Sequence, residues 1–276
     1  MRRAMVLQHT LIHILLIALG ISAIFPFVWM LSTSLKDTSL VFTYPPVLIP
    51  DPPMFSNYLH VWVHAGMLRA MGNSFFISIT SQIGNILMSS LVAYAFAKID
   101  FRFKNILFIF VLATIMIPFQ VTLIPLFVIF RHLNWINTFY PLIVPPLFGT
   151  AANVFLMRQY IMRIPNAYRD SAYVDGCGHF RIWWNIIMPM AVPMTVSIAV
   201  LSFMWKWNEF LPPMLFLSSR ELMTVPLILN IFRSEFLVEW HYLMAASTIA
   251  LLPVIILYLF AQRYIISGIM LGGIKG

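Results

Sequence analysis

Six apolar segments, each long enough to cross a lipid bilayer, constrain this sequence more than any other feature. A hydrocarbon core of about 30 Å needs roughly 20 residues of helix. The segments lie at 9–31, 74–97, 106–130, 138–157, 189–217 and 242–262. The charged residues within them are Lys206 and Glu209, both in the fifth segment. We therefore expect an all-α polytopic protein with six transmembrane helices, forming one transmembrane domain over 1–276.

The composition supports lipid as the main solvent of this chain. It is 61% hydrophobic and 9% charged, whereas a soluble domain is about 25% charged. Arg2 and Arg3 before the first segment resemble the start of a signal peptide. However, the apolar run that follows is longer than a usual signal sequence and ends without a small-x-small cleavage pattern. We interpret it as a retained anchor.

The distribution of charge predicts the orientation in the membrane. An even number of spans places both termini on one side, and that side carries eleven basic and three acidic residues. The opposite side carries five of each. Because basic residues accumulate in cytoplasmic loops, both termini should be cytoplasmic. The net charge of +8 is then a topology signal, and no nucleic-acid partner is needed to explain it.

The longest loop on the predicted cytoplasmic side, 164–188, is patterned. Pro165 can begin a short helix, the small residues Ser171 and Ala172 would let a partner approach closely, and Gly176 would end that helix. A second stretch places aromatic and apolar residues on one face, as in a helix lying at the membrane interface; these are Phe180, Trp183, Trp184 and Ile187. From the pattern alone, an ordinary membrane-surface loop fits about as well.

The spacing in this loop resembles the signature of ABC importer permeases. That signature is Glu-Ala-Ala, three residues, Gly, nine residues and Ile-x-Leu-Pro. The positions that match it, or its wider form, are Pro165, Asp170, Ser171, Ala172, Asp175, Gly176, Ile186, Met188 and Pro189. Asp170 is one methylene shorter than the family's Glu, and Ser171 replaces its first Ala. Both substitutions keep the sign of the charge and the small size.

Other pieces resemble the second permease subunit of maltose-type sugar importers, a carbohydrate branch of this family. They are Asn73-Ser74, Ala93-Tyr94-Ala95-Phe96, Trp207-Asn208, Gln262-Arg263-Tyr264 and the closing Gly272-Gly273-Ile274-Lys275-Gly276. The resemblance implies a type I ABC importer permease fold in a bacterial inner or plasma membrane. It also implies four partners besides lipid: a different second permease, two cytoplasmic ATPase subunits and an extracytoplasmic solute-binding protein.

The resemblance further implies roles for particular residues. Residues 164–188 would form a coupling loop seated on an ATPase through Pro165, Asp170, Ser171, Ala172, Asp175 and Gly176. The cytoplasmic tail, 263–276, would contact the ATPases through Gly272, Gly273 and Lys275. ATP and Mg would bind to the partner ATPases, and this chain would bind no cofactor. The solute would be a mono- or oligosaccharide or a polyol.

The fifth segment holds the charges that most need an explanation. Lys206 and Glu209 are three apart, so they can pair on one helix face. Charges inside a membrane are costly and usually face a cavity or a partner. We expect Lys206, Asn208 and Glu209 either to line the solute pathway or to form a structural pair, and the sequence does not choose between these.

Other chemistries find little support in the sequence. His9/His13 and His60/His64 have a spacing that can bind metal, but no third ligand lies nearby, so we expect no metal site. No catalytic constellation or phosphate-binding loop is present in the sequence, and Cys177 is the one cysteine. We therefore expect a transporter subunit and not an enzyme.

Two alternatives to this importer come from different classes. An ion-coupled secondary transporter should carry ionisable residues in several spans and inverted repeats, whereas this chain carries charges in one. A non-transporting membrane scaffold would not explain the patterned loop. An ABC permease for a solute other than a sugar also remains open, because the sequence does not identify the solute.

Overall fold

The structure is a computed structural model that describes residues 2–233 and 238–273, with side chains described for 9–233 and 238–263. Every regular element within these residues is helical. The chain divides into two compact units. One unit comprises Met1–Leu68 and Ile228–Leu252, and the other comprises Arg69–Leu227 and Pro253–Gly276.

The first unit is built on helix α1, Arg2–Ser34. Leu15, Ile17 and Ile21 on this helix are each 60–65% exposed, so α1 offers its apolar surface to lipid or to other subunits rather than to its own chain. A 3₁₀ turn at Thr38–Leu40, helix α2 at Ser56–Leu59 and a π-helical turn at His60–His64 follow.

The loop after α1 is fixed to the end of that helix by polar contacts. The Asn57 amide donates to the carbonyl oxygens of Ser34 and Lys36, at 2.9 Å each. The Lys36 side chain is fully buried, with its ammonium 4.4 Å from the centroid of the Trp29 ring. Burial lowers the pKa of Lys36, and the ring face offsets part of that desolvation of the cation.

The second unit contains most of the remaining helices. In chain order they are α3 (Met67–Lys98), α4 (Lys104–Ala113), α5 (Phe119–His132), α6 (Tyr140–Leu147), α7 (Ala151–Arg163), α8 (Asn166–Val174), α9 (His179–Ile182), α10 (Met188–Met190), α11 (Val192–Trp207), α12 (Leu211–Phe216), α13 (Val225–Ile231) and α14 (Trp240–Gly273). Short 3₁₀ turns lie at Thr114–Met116 and Arg220–Leu222, and a π-helical turn lies at Trp183–Ile187. Helices α3, α13 and α14 each begin in one unit and end in the other.

Four stretches of helix in the described residues are long and apolar enough to cross a membrane: His9–Ser34, Met67–Lys98, Tyr140–Arg163 and Trp240–Arg263. Two further stretches qualify as bent pairs. Lys104–Met116 and Phe119–His132 meet at 93°, and His179–Met190 and Val192–Trp207 meet at 79°. Counting each pair as one span gives six.

Proline alone does not determine where these helices bend. Pro118 precedes α5, and Pro193 lies in the first turn of α11, so both mark the bent pairs. Pro26 and Pro253, however, lie inside the continuous helices α1 and α14. A membrane helix can retain a proline because neighbouring groups satisfy the freed carbonyl.

Two apolar clusters hold the second unit together, and α3 contributes to both. Ala93, Tyr94 and Phe96 near its end pack into one cluster with residues of α7, α8 and the Trp183–Ile187 turn. Ile77 lies in the other. In the middle of α3, a Cβ on Gly84 would lie 2.4 Å from Leu147 Cδ2, so glycine permits the close approach of α6 to α3.

Candidate functional site

The predicted coupling loop contains a short helix with a well-defined end. Helix α8 begins after Pro165, whose extended backbone makes it the N-cap. At the other end, the amide of Gly176 donates to Tyr173 O at 3.0 Å, and that of Cys177 donates to Ala172 O at 2.9 Å. This pair of bonds is a Schellman motif, which requires a left-handed residue at the position of Gly176. Gly176 has φ +76°.

Gly176 also leaves open space on the outside of the chain. A Cβ added there would meet no atom of this chain within 4 Å. The glycine is therefore explained locally by its backbone conformation. Any steric limit on a side chain at this position would have to come from a partner.

The other predicted contact residues separate into two groups. Asp170, Ser171 and Asp175 are exposed. Ala172 is only 5% exposed and packs into the apolar cluster with Tyr94 and Ile161. The expectation that Ala172 offers a small surface to a partner is therefore wrong, because its small side chain serves the packing of α8 on this chain.

Two basic residues outside the loop motif attach α8 to the end of α3. Lys98 is 4% exposed. Its ammonium donates to Ile164 O and, at 2.8 Å, to Asn166 Oδ1. The Arg169 guanidinium donates to Lys98 O. These contacts join positions 66 to 71 residues apart, so no local pattern reveals them.

Arg169 also pairs with the acidic residue that defines the predicted site. Its Nη2 and Nε lie 2.7 and 2.8 Å from Asp170 Oδ1. The Asp170 side chain is nevertheless 56% exposed. The carboxylate is thus held by one partner within the chain while its remaining surface stays open to another.

A third link ties the end of α8 to α3 through an imidazole. The Tyr173 hydroxyl is hydrogen-bonded to His179, and the Tyr94 hydroxyl lies 3.3 Å from His179 Nδ1. Both ends of α8 are therefore connected to the last turns of α3, at Tyr94 and at Lys98. Because polar side chains join both ends of α8 to α3, we expect α8 and the end of α3 to move together.

The segment after α8 departs from the interfacial helix expected from its aromatic residues. Trp183 and Ile187 are 3% and 0% exposed and belong to the apolar core, whereas Phe180 and Trp184 are 66% and 51% exposed. The expectation of one shared face is therefore wrong. A π-helical turn at Trp183–Ile187 changes the angular spacing of the side chains.

Lys206 and Glu209 form the ion pair that their spacing predicts. Lys206 Nζ lies 2.6 Å from Glu209 Oε2, and the two side chains are 10% and 29% exposed. Helix α11 ends at Trp207, and the Asn208 side-chain amide donates to Met204 O at 2.8 Å. Asn208 thus closes the end of its own helix, and the pair lies where the helix stops.

A buried polar cluster between α3, α7 and α11 was not predicted. The Asn153 amide donates to Asn85 Oδ1 at 2.8 Å and to Ser202 Oγ at 3.2 Å. Ser89 donates to Asn85 Oδ1 at 3.1 Å and accepts from the amide of Thr150 at 3.2 Å. The last bond gives the backbone amide of Thr150 a partner at the break between α6 and α7. The sequence signal was the row of small and amide residues along α3.

The remaining candidates are the paired histidines and the C-terminal tail. The described residues contain no group of three or more side chains arranged to hold a metal. His13 Nδ1 lies 2.6 Å from His9 O, and the rings of His60 and His64 are 5.4 Å apart. In the predicted tail, Gly272 and Gly273 end α14, and Lys275 lies outside the described residues.

Comparison with known proteins identifies the family. Residues 85–270 match the family described as the binding-protein-dependent transport system inner membrane component. The chain is 34% identical to the arabinooligosaccharides transport system permease protein AraQ of Halalkalibacterium halodurans, over 92% of each chain. It is 33% identical to the probable starch degradation products transport system permease protein AmyC of Thermoanaerobacterium thermosulfurigenes, over 97% of each.

Two further matches are another transport permease and a solved structure. The sn-glycerol-3-phosphate transport system permease protein UgpE of Yersinia enterocolitica is 31% identical, over 94% of each chain. Among solved structures, a bacterial ABC transporter involved in the import of the acidic polysaccharide alginate superposes with a TM-score of 0.82. That match has 21% identity and covers 94% of this chain and 96% of the other, so it establishes the fold.

These findings define the class of protein and then the family. The molecule is an all-α integral membrane permease with the ABC importer permease fold. The chain belongs to the family of inner membrane components of binding-protein-dependent transport systems and is a permease subunit of an ABC importer, not an enzyme. Membership implies a complex with other subunits in a membrane. The identification made from the loop motif is confirmed, and the ion-coupled alternative is set aside.

Proposed function

We propose that this subunit forms half of a sugar-importing pathway together with a second, different permease. Two cytoplasmic ATPase subunits would bind ATP and Mg, and an extracytoplasmic protein would deliver the solute. Both termini would be cytoplasmic, as the basic side of the chain favours. One observation carries the proposal: α8 is short and exposed, and it is joined by side chains to a membrane-spanning helix.

The contacts of α8 suggest how motion driven by ATP hydrolysis would be transmitted to the membrane-spanning helices. Closure of the ATPases would displace α8, and Lys98, Arg169 and His179 would transmit this displacement to the end of α3. Helix α3 packs in both apolar clusters of its unit. Moving its end would therefore shift the packing around the pathway and change which side of the membrane the cavity faces.

Asp170 is the residue we propose to contact the ATPase by charge. Its carboxylate is over half exposed although Arg169 holds one oxygen. An ATPase arginine or lysine could bind the free side of the carboxylate, with Asp175, Ser171 and the open space at Gly176 completing the contact surface. Gly272, Gly273 and Lys275 of the tail would make a second contact with the ATPases.

We propose that the solute is a mono- or oligosaccharide or a polyol. This proposal rests on the names of the relatives. Their names refer to arabinooligosaccharides, starch degradation products and sn-glycerol-3-phosphate. All of these are polyhydroxylated compounds. Candidate contacts in this chain are Lys206, Asn208 and Glu209, although the bond of Asn208 to its own helix favours a structural role for that side chain.

The complete transporter, reconstituted in proteoliposomes with its binding protein inside, tests this proposal. The solutes to compare are malto- and arabino-oligosaccharides, sn-glycerol 3-phosphate and an amino acid of similar size. We expect at least one of the polyhydroxylated solutes to stimulate ATP hydrolysis several-fold. Stimulation by the amino acid alone would contradict the solute class while leaving the importer assignment intact.

A further inference from the structure

A cavity of about 580 Å³ lies where α3 ends, α4 begins and α7 passes. It is at the same end of the helices as α8, because Lys98, the last residue of α3, contacts Ile164 and Asn166. Its wall includes Asp100, Phe103, Lys104 and Arg158. The motif that identifies the family does not involve this cavity, and the proposed coupling mechanism does not use it.

Two basic residues line this cavity, and contacts within the chain hold each side chain. The Arg158 guanidinium lies 4.1 Å from the centroid of the Phe108 ring, and its Nε donates to Phe96 O at 3.2 Å. These contacts fix one edge of the guanidinium while the residue lines the cavity. Lys104 Nζ lies 3.3 Å from Asp100 Oδ1. Because an ammonium has three donors, this bond leaves Lys104 able to bind a second acceptor.

The amino terminus of α4 adds to the positive potential of the cavity. Its first three residues, Lys104, Asn105 and Ile106, all line the wall. The N-cap is Phe103, in the left-handed region with φ 64°, and it makes no side-chain capping bond. The first amides of a helix carry a partial positive charge and favour an anion. Two cations and this helix end therefore outweigh the single carboxylate of Asp100.

The surface next to the cavity is apolar. Helix α4 exposes Ile106 in its first turn and Ile109 and Phe110 beyond it, at 53%, 65% and 67%. Helix α4 forms part of one of the bent pairs with the length and apolarity of a membrane span. An anion-binding site at the start of such a helix lies at headgroup level, with space for acyl chains along the exposed residues.

We propose that this cavity binds the phosphate of an anionic phospholipid headgroup. Basic pockets between helix ends on the cytoplasmic side of a membrane bind such headgroups. Lys104, Arg158 and the first turn of α4 contact the phosphate, and the acyl chains lie along Ile106, Ile109 and Phe110. The adjacent apolar surface favours a lipid over free phosphate, because free phosphate would use the cations alone.

Native mass spectrometry of the purified transporter complex tests this proposal. Wild type and three variants are titrated with phosphatidylglycerol and, separately, with phosphatidylcholine. Lys104→Gln should weaken phosphatidylglycerol binding about fivefold, since a basic residue at a membrane surface contributes roughly that factor. Asp100→Asn should strengthen it, because a carboxylate opposing the phosphate is removed. Neither change should alter phosphatidylcholine binding.

Arg263→Gln is the matched control. Arg263 is exposed, lies at the end of the last apolar stretch and does not line the cavity. It should leave phosphatidylglycerol binding within twofold of wild type. Coincident titrations for wild type, Lys104→Gln and Asp100→Asn would overturn the proposal. Equal binding of the two lipids, or displacement of phosphatidylglycerol by millimolar inorganic phosphate, would also overturn it.

Discussion

Two ion pairs of similar chemistry lie in contrasting surroundings in this permease. Arg169 and Asp170 pair on α8, where the carboxylate side chain is 56% exposed. Lys206 and Glu209 pair at the end of α11, with side chains 10% and 29% exposed. Exposed pairs contribute little to stability because water and salt screen them. When a pair is largely removed from water, losing one member leaves a buried unpaired charge, which destabilises the protein.

The contrast suggests different uses for the two pairs. The exposed carboxylate of Asp170 can exchange or share its partner at little cost, which suits a surface that docks and transmits force. The Lys206–Glu209 pair is fixed in place, which suits a structural role or the wall of a pathway. Three predictions compare the Lys206–Glu209 pair with the docking surface of α8, in order of expected effect.

The largest effect should come from splitting the Lys206–Glu209 pair. Lys206→Ala or Glu209→Ala alone should cost about 3 kcal/mol, as for other pairs that are withdrawn from water, and should reduce assembly and uptake sharply. The double variant should recover part of that loss, because no unpaired charge remains. A double-mutant cycle on assembly yield and uptake measures the coupling, and additive losses would show that the pair does not act as a unit.

A smaller but specific effect should come from adding a side chain at Gly176. Gly176→Leu should insert normally but retain less ATPase, since this chain leaves the space there open and a docked ATPase would fill it. The left-handed conformation adds about 1 kcal/mol of backbone cost for Leu. Gly176→Asn is the matched variant, because Asn tolerates that conformation.

The two variants separate packing from backbone conformation. If Gly176→Asn also lowers ATPase co-purification, close approach by the partner explains the glycine. Should Asn behave as wild type while Leu fails, Gly176 serves only the end of α8. Full ATPase retention by both would remove Gly176 from the docking surface.

The smallest effects should come from charge changes in the exposed pair. Asp170→Lys should weaken ATPase retention about tenfold, since it sets a positive charge against the expected basic partner and beside Arg169. Asp170→Glu should be tolerated. Arg169→Lys keeps the charge and should change retention by less than about 1 kcal/mol through the loss of the two-point contact with Asp170. Co-purified ATPase and uptake in cells are the two measurements.

Much of the fold was predictable because membrane spans are long and locally encoded. The apolar segments lie largely within helices, and the loop motif identified the family. The fifth segment, 189–217, was predicted to end too late, because α11 ends at Trp207 and its bent pair begins at His179. The breaks were less predictable, since Pro118 and Pro193 mark bends while Pro26 and Pro253 do not. Whether a proline breaks a helix depends on neighbours that the local sequence does not specify.

The candidate site was predicted in part. The spacing of Asp170 and Gly176 placed the short helix, its end and its exposed carboxylate. The attachment of that helix was missed, because Lys98 and Arg169 act through backbone carbonyls distant in sequence. Ala172 was misassigned, since a small residue can serve a partner or its own core and only the packing distinguishes them.

Cysteine cross-linking at adjacent positions of α8 tests the central claim, that this helix docks on the ATPase. In a Cys177→Ser background, Ser171→Cys places an exposed thiol on α8, and Ala172→Cys places one in the interior of the chain. In membranes containing the whole transporter, Ser171→Cys should cross-link to an ATPase subunit through a short bifunctional reagent, and ATP should change the yield. Ala172→Cys should not cross-link. Absence of any ATPase adduct at Ser171, with the thiol shown to react, would contradict the account.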